Sequence, residues 1–337
     1  MSILPSDLIF YGSANMPDVD GATTGGAIDR TKLISFADMA ANGTVNYVSG
    51  GAGDTAVTLT TTGLDASGVV QAEAKVLTGT TPVAGGQTYE RLRKVVATGT
   101  AATNDVAVIS NTPVLTARTA TGGAAATSST AATIALQTGD GASVAVGQII
   151  RIMTNTGAFQ LRMIIALSGD TASVNRPWAT VPDATSTYNV HRGALLPILP
   201  QPVTQVRRPF YAASSDIVGG ATRTYYEKVF ADNQNATLAL TVATIRKTVD
   251  PSGGATFQFA LETTLSGTGT TANRQTAPAA IGAFTAGASP QSSAVVGSTN
   301  LAAAGGSPQG VWLSLQLAAA LPATKTSETM QITGSST

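Results

Sequence analysis

Apolar and polar residues alternate through TAVTLTTTGLDASGVVQAEAKVL, residues 55–77, on both sides of the turn-rich segment DASG. A period of two is that of a β-strand, and a short polar turn between two such runs is typical of a hairpin. The first strand has two apolar residues on one face and two threonines on the other: Val57 and Leu59, then Thr58 and Thr60. The second strand has four apolar residues on its predicted inward face and three polar residues on its outward face: Val70, Ala72, Ala74 and Val76 inward, Gln71, Glu73 and Lys75 outward.

Shorter strand-like runs separated by turns fill most of the remaining chain, so the predicted fold class is mainly β. We expect an N-terminal extended arm, then small β modules, then a C-terminal β-sandwich. The predicted boundaries are an arm over 1–43, a β module over 44–115, a small β module over 116–192, a Pro-rich linker over 193–204 and a sandwich over 205–337. The linker prediction depends on three prolines, which remove ladder donors and restrict the residues before them.

Two segments lack the regular alternation of a strand. TKLISFADMAA, residues 31–41, fits either one short helix or a strand. Residues 266–308 are rich in Gly, Ala, Ser and Thr without periodicity, which predicts a set of long surface loops.

The low content of charged residues restricts the possible function classes. Charged residues make up 11% of the 337 residues, against about 25% in ordinary soluble domains. The formal net charge is zero, whereas a nucleic-acid binder is expected to carry a basic face. A surface with so few charges favours association. We therefore expect a component of an assembly and no nucleic-acid partner.

Cysteine chemistry and membrane insertion are not expected. The sequence contains no cysteine, which excludes disulfides, thiolate metal sites and a cysteine nucleophile. The N-terminus MSILPSDLIF has neither the basic segment nor the apolar core of a signal peptide. Apolar runs stay well short of the ~18 residues of a membrane span, so we expect no membrane partner.

The segment PDVDGATTGGAID, residues 17–29, is the one candidate for a metal loop. Asp18 and Asp29 occupy the first and last positions of a twelve-residue window, with Asp20 between them. An EF-hand loop also needs an oxygen ligand at its fifth position, glycine at its sixth and glutamate at its twelfth. Ala22 and Thr23 occupy the fifth and sixth positions here. The segment therefore fits a polar connector better than a calcium loop, and calcium binding by the three aspartates is left open.

No constellation predicts catalysis, and we expect no catalytic residue and no cofactor. His191 is the single histidine and lies beside a predicted strand end. GGSPQG, residues 305–310, misses the G-x-S-x-G pattern because Gln309 replaces its last glycine, and it precedes a strand instead of following one. Trp178 and Trp312 lie in strand-like runs, which favours core packing over a sugar-stacking platform.

Two clusters of basic residues lack the interleaved aromatics of a single-strand nucleic-acid binder. They are Arg207 with Arg208, and the group in YERLRKVV. We interpret them as groups that could meet acidic surface on a partner subunit.

Three stretches resemble modules of tailed-bacteriophage virion proteins. The first, residues 63–96, has a strand, a D-x-x-G turn, a strand with Glu, then L-x-G-T-T and an aromatic residue; the matching residues are Gly63, Asp65, Gly68, Glu73, Leu77, Gly79, Thr80, Thr81 and Tyr89. The second, residues 148–190, closes with W-x-x-x-P-D-x-T-S-x-Y at Trp178, Pro182, Asp183, Thr185, Ser186 and Tyr188, with Phe159 where the pattern has glycine. The third runs from RPFYAASSD through TYYEKVFADNQNATLAL, DPSGG and NRQTAP to GVWLSLQLAA and is similar to a terminal β-sandwich of such proteins.

The resemblance implies a non-enzymatic virion structural protein, most similar to a capsid decoration or cement protein. Its implied partners are the major capsid protein and further copies of itself, with a trimer as the expected form. The implied location is the virion, assembled in the host cytoplasm. Residues 1–43 would be a tether that orders on assembly. A tail or baseplate component, and a vertex or fibre adhesin that binds host glycans, are the alternatives.

Overall fold

The computed structural model describes residues 2–124, 132–210, 213–216, 219–251, 254–285, 291–294, 300–320 and 328–336. Strands contain 53% of the residues and helices 3%, which confirms the predicted mainly-β fold class. Three short 3₁₀ helices cover Pro5–Asp7, Asp140–Ser143 and Ala303–Gly305. Within the described ranges, no helix is long and apolar enough to cross a membrane.

The strands are numbered in chain order. Those in the first half of the chain are β1 (Leu8–Asn15), β2 (Thr24–Leu33), β3 (Gly43–Ser49), β4 (Val57–Leu64), β5 (Val70–Val76), β6 (Val83–Tyr89), β7 (Arg91–Gly99), β8 (Val106–Ser110), β9 (Leu115–Thr119), β10 (Gly122–Ala124), β11 (Thr133–Ala135), β12 (Ile149–Met153) and β13 (Phe159–Ser168). The others are β14 (Thr171–Val174), β15 (Thr187–His191), β16 (Gly193–Leu196), β17 (Gln205–Arg207), β18 (Arg223–Asn233), β19 (Leu240–Val249), β20 (Ala255–Leu265), β21 (Thr270–Thr271), β22 (Gln291–Ala294), β23 (Gln309–Leu317) and β24 (Thr329–Ser336).

The chain forms two compact units. The first unit consists of Ile3–Ser6 and Thr31–Arg208, and the second of Asp7–Arg30 and Pro209–Thr337. Strand β2 belongs to the second unit as far as Arg30 and to the first from Thr31 onward.

Three groups of strands form the first unit. One runs in the order β17-β7-β4-β5, with the end of β2 parallel to β17. A second has the order β16-β8-β3-β6, and the third is a seven-stranded sheet with the order β10-β11-β14-β13-β12-β15-β9. A buried apolar cluster that includes Ile150, Trp178 and Tyr188 draws all its members from residues 114–190, within the first unit.

The second unit also contains two groups of strands. One has the order β20-β23-β18-β1, continued by the start of β2, on which β21 pairs. The other is a three-stranded sheet in the order β22-β19-β24. The register of β18 on β23 places Lys228 opposite Trp312, and that of β1 on β18 places Tyr11 opposite Phe230. All four side chains are buried, and Lys228 Nζ lies 4.7 Å from the centre of the Phe230 ring and 5.8 Å from that of Trp312.

The predicted hairpin at residues 55–77 is confirmed, but the facing of its second strand is wrong. β4 and β5 pair antiparallel, with Thr58 opposite Val76 and Leu64 opposite Val70. The apolar residues of β5 are the exposed ones: Val70 is 57% and Val76 54% exposed. The polar face is partly covered because Glu73 turns toward β6, where its carboxylate accepts backbone N–H groups.

Residues 1–43, predicted as an extended arm, contain two strands in the structure. β1 pairs with β18 over Leu8–Gly12, and Tyr11 is 1% exposed. For residues 31–41, the strand alternative holds as far as Leu33, and the rest is irregular apart from one bridge at Ala37. Much of the segment is thus fixed by ladder hydrogen bonds inside the protein.

The predicted linker 193–204 begins with a strand. β16 is buried and pairs with β8. The three prolines lie beyond Leu196, so the ladder donors of Gly193–Leu196 are intact. The linker prediction is therefore wrong for these four residues.

The predicted loop region 266–308 contains β21, β22 and a 3₁₀ helix. Its residues 286–290 and 295–299 lie outside the described residues.

Candidate functional site

The aspartates of the candidate calcium loop are not gathered at one point. Asp20 Oδ1 lies 3.2 Å from Arg274 Nη1, and its carbonyl accepts the Arg274 backbone N–H at 3.1 Å. Asp29 lies within β2. In the part of the chain that the structure describes, no three His, Asp or Glu side chains are placed to hold a metal ion. Asp20 thus serves as an anionic partner of a buried arginine.

His191 is a buried strand-end residue. Its side chain is 6% exposed, and Nδ1 lies 2.9 Å from the carbonyl oxygen of Ser110. Burial lowers the pKa of His191, partly opposed by that hydrogen bond. This contact ties the junction of β15 and β16 to Ser110 at the end of β8.

The GGSPQG segment does not have the geometry of a nucleophile elbow. It leads from a 3₁₀ helix directly into β23, the opposite order to the strand-to-helix turn that the motif requires. Gln309 is buried and donates from Nε2 to the carbonyls of Glu262 and Gly310, at 3.0 and 2.9 Å. The segment therefore anchors a strand.

Both tryptophans are core residues, as predicted. Trp178 is 5% exposed and donates Nε1–H to the carbonyl of Thr133 at 2.8 Å. Trp312 is 1% exposed. Neither ring is available for stacking on a sugar.

Arg208 finds its acidic partner within the chain. Its Nη2 lies 2.8 Å from Asp38 Oδ1, and its guanidinium lies 4.8 Å from the centre of the Phe36 ring. Burial lowers the pKa of Arg208 to about 10, although the charge of Asp38 acts in the opposite direction. Arg207 is also buried. The first basic cluster is consequently used inside the first unit, and not as an exposed patch.

A cleft of about 210 Å³ in the first unit contains an ionic cluster that the sequence did not predict. Asp105 Oδ2 lies 2.7 Å from Arg176 Nε and 3.1 Å from Arg162 Nη1. Its other oxygen accepts the backbone N–H of Ile198 at 3.0 Å. Burial raises the pKa of Asp105, while Arg176 and Arg162 oppose that rise.

The Arg162 guanidinium contacts several groups besides Asp105. It donates to the carbonyls of Pro177 and Leu161 at 2.7 Å and lies 5.2 Å from the Trp178 ring. One carboxylate and two guanidinium groups leave the cluster with one net positive charge. Asp105 directly precedes β8, Arg162 lies within β13 and Arg176 follows β14. The ion pairs of the cluster therefore act as a clamp that connects these three elements.

One sequence signal could have indicated this cluster. Arg162 interrupts the apolar strand LRMIIAL, and an arginine at such a position needs a buried partner. The partner could not be identified, because Asp105 lies 57 residues away from Arg162 and 71 from Arg176.

The Glu73 carboxylate connects β5 to β6. Its Oε1 accepts the Gly86 N–H at 2.8 Å, and Lys75 Nζ lies 2.9 Å from the same oxygen. The Tyr47 hydroxyl donates to Oε2 at 3.4 Å. Partial burial acts to raise the pKa of Glu73, but the Gly86 hydrogen bond and Lys75 outweigh it, so the pKa lies below its ordinary value. The carboxylate thereby satisfies the Gly86 amide, which lies where the pairing of β6 with β3 shifts register.

Replacing Glu73 by glutamine (E73Q) is expected to lower the free energy of unfolding at pH 7 by about 1–2 kcal/mol, the worth of charge-assisted hydrogen bonds. Because the folded-state pKa is depressed, this stability is present above the unfolded-state value near 4.5 and is lost as the pH falls through the folded-state value. Urea unfolding of wild type and E73Q at pH 7 and pH 3 measures the effect. The difference between the two proteins should narrow from pH 7 to pH 3, and an equal difference at both pH values would contradict the role of the charge.

One exposed apolar feature of the described surface is the outer face of β5, where Val70 and Val76 lie on a terminal strand of its sheet. No protein-family model matches this chain, and no curated protein or solved structure was found to resemble it. Its function must be inferred from its own residues, and those that the structure describes include buried ionic clusters and an exposed strand edge.

Proposed function

We propose that this protein is a non-enzymatic structural protein of a tailed-bacteriophage virion, which binds and stabilises the outer surface of the capsid. In this role it acts as a homo-oligomer, with a trimer as the expected form, and its partner is the major capsid protein. The particle is assembled in the host cytoplasm. Resemblance of three stretches of the sequence to phage virion modules supports the class of protein.

One observation carries the proposal furthest: charged residues are scarce, and part of them are buried and so do not contribute to the surface. Eleven charged residues in the described segments are buried: Asp54, Asp105, Asp140, Arg162, Arg207, Glu227, Lys228, Asp232, Lys247, Glu262 and Arg274. Charged residues are only 11% of the sequence, so few remain to keep an isolated molecule in solution. A protein whose surface is covered by neighbours has less need of such charges.

The proposal predicts that purified particles contain this protein in a number close to that of the shell subunit. Quantitative gel staining against the major capsid protein measures the ratio. A small fraction of the shell number would contradict a place on the capsid lattice and favour the tail, the baseplate or a vertex fibre.

The alternative of a glycan-binding adhesin has less support. Sugar platforms present aromatic faces to solvent, whereas both tryptophans are buried. A glycan array probed with the full chain tests it directly.

A further inference from the structure

Strand β5 presents an open backbone edge. Among the described strands it pairs only with β4. The Leu77 N–H donates to the Val57 carbonyl at 2.8 Å, and Asp65 N–H donates to the Val69 carbonyl at 3.0 Å. In this antiparallel register the odd-numbered residues of β5 direct their backbone groups toward β4, and the even-numbered residues direct theirs away from it.

The four residues with outward backbone groups also have the exposed side chains: Val70, Ala72, Ala74 and Val76. Soluble proteins usually protect such edges with lysine, proline or a bulge. Here the charges of the strand, Glu73 and Lys75, lie on the opposite face and pair with each other. The edge is about 20 Å long at 3.4 Å per residue, uncharged on its exposed face and straight in its pairing with β4.

We propose that β5 pairs antiparallel with β5 of a second copy of this chain, with Ala74 on the twofold axis. The even-numbered residues can meet in three central registers, with Ala72, Glu73 or Ala74 on the axis. With Ala72 on the axis, Glu73 lies opposite Gln71 and gains no partner of opposite charge. With Glu73 on the axis, the two Glu73 carboxylates would face each other, which is unfavourable for directly opposed residues. With Ala74 on the axis, Glu73 lies opposite Lys75 of the copy and Ala72 opposite Val76. Charge complementarity therefore selects both the second copy as the occupant and the register.

The pairing does not rest on the proposed virion role. The β5 contact has twofold symmetry, so it differs from the threefold contact within a trimer. Where trimers exist, it would link one trimer to the next. Each such pair makes six backbone hydrogen bonds from the three facing residues and covers an apolar strip on both copies.

Cysteine cross-linking tests the register, because the chain has no cysteine of its own. Facing residues of a hydrogen-bonded antiparallel pair have Cα atoms about 5.5 Å apart, within the ~4.4–6.8 Å that a disulfide spans. Ala74→Cys is expected to give a covalent dimer of the full chain under mild oxidation. The matched control Ala72→Cys places the two thiols four residues apart, about 13 Å along the strand, and should stay monomeric on a denaturing gel.

Sedimentation velocity provides a second readout that does not depend on disulfide geometry. Ala74→Lys introduces a charge at the axis on an exposed position and is expected to abolish the concentration-dependent dimer. Ala101→Lys, at an exposed loop residue of the same unit, should dimerise like wild type.

Three outcomes with the purified chain would overturn the proposal. They are a wild-type chain that stays monomeric across the concentration range, equal cross-linking of A74C and A72C, and unchanged dimerisation of A74K. In purified particles, a cross-link from A74C to a different polypeptide would likewise overturn self-pairing and assign the edge to that partner. A virion copy number far below that of the shell would contradict the capsid role alone and leave the β5 pairing standing.

Discussion

Replacing Asp105 by alanine is expected to lower the free energy of unfolding of the first unit by about 3–5 kcal/mol, because it leaves a buried guanidinium without its counter-charge. Arg162 is 2% exposed and cannot turn its charge to solvent. The variant also removes the acceptor of the Ile198 N–H, which holds the chain just after β16. The loss combines an uncompensated charge with an unsatisfied donor.

The second arginine of the cluster, Arg176, is partly exposed, so its replacement is a milder variant to compare with Asp105→Ala. The Arg176 side chain is 16% exposed, so Arg176→Ala leaves a one-to-one pair of Asp105 with Arg162 and is expected to cost about 1 kcal/mol. Urea unfolding followed by Trp178 fluorescence reports the first unit, and Trp312→Phe as a common background removes the other tryptophan. If Asp105→Ala destabilised no more than Arg176→Ala, the cluster would not be the clamp inferred from its geometry.

Local alternation predicted the elements better than it predicted their surroundings. The hairpin of β4 and β5 followed from a period of two and from the DASG turn, in which Asp65 Oδ1 accepts the N–H groups of Ser67 and Val69 at 2.9 Å. The prediction that Val70 and Val76 face inward was wrong, because both are exposed. Alternation shows that a strand has two different faces, but it does not show which face the rest of the fold covers.

The ionic clusters were unpredictable for a different reason. Some acidic side chains are satisfied by local backbone groups, as Asp183 is, which accepts the Thr185 N–H two residues ahead at 2.9 Å. Asp105 and Glu262 look similar in sequence, yet each meets a buried cation brought close only by sheet pairing. Residues 1–43 illustrate the same limit, because β1 pairs with β18, and the start of β2 pairs with β21, more than 200 residues away along the chain.

The second large effect is expected at Lys228, in the second unit. Its Nζ lies 2.7 Å from Glu262 Oε1 and donates to the carbonyls of Gly26 and Gly267, each at 2.9 Å. Burial lowers the pKa of Lys228, and the hydrogen bond and charge of Glu262 oppose that effect. A Cβ at Gly310 or Gly267 would overlap the Glu262 carboxylate, so glycine is required to make room for the pair.

Lys228→Met keeps the length of the side chain and removes the charge. It is expected to lower the free energy of unfolding of the second unit by about 3–5 kcal/mol, since the Glu262 carboxylate stays buried without a counter-charge. Denaturant unfolding followed by Trp312 fluorescence, in a Trp178→Phe background, measures the change. The probe is suitable because the Trp312 ring lies 5.8 Å from the lysine nitrogen.

The double variant Lys228→Met/Glu262→Met separates the strength of the pair from the cost of breaking it. Removing both charges eliminates the uncompensated carboxylate, and apolar replacement of a buried ion pair is often neutral or better. We therefore expect the double variant to be more stable than Lys228→Met alone, with a coupling of about 1–3 kcal/mol in the double-mutant cycle. If the two single effects simply added, the lysine would contribute through packing against Phe230 and Trp312, and the glycines around Glu262 would need another explanation.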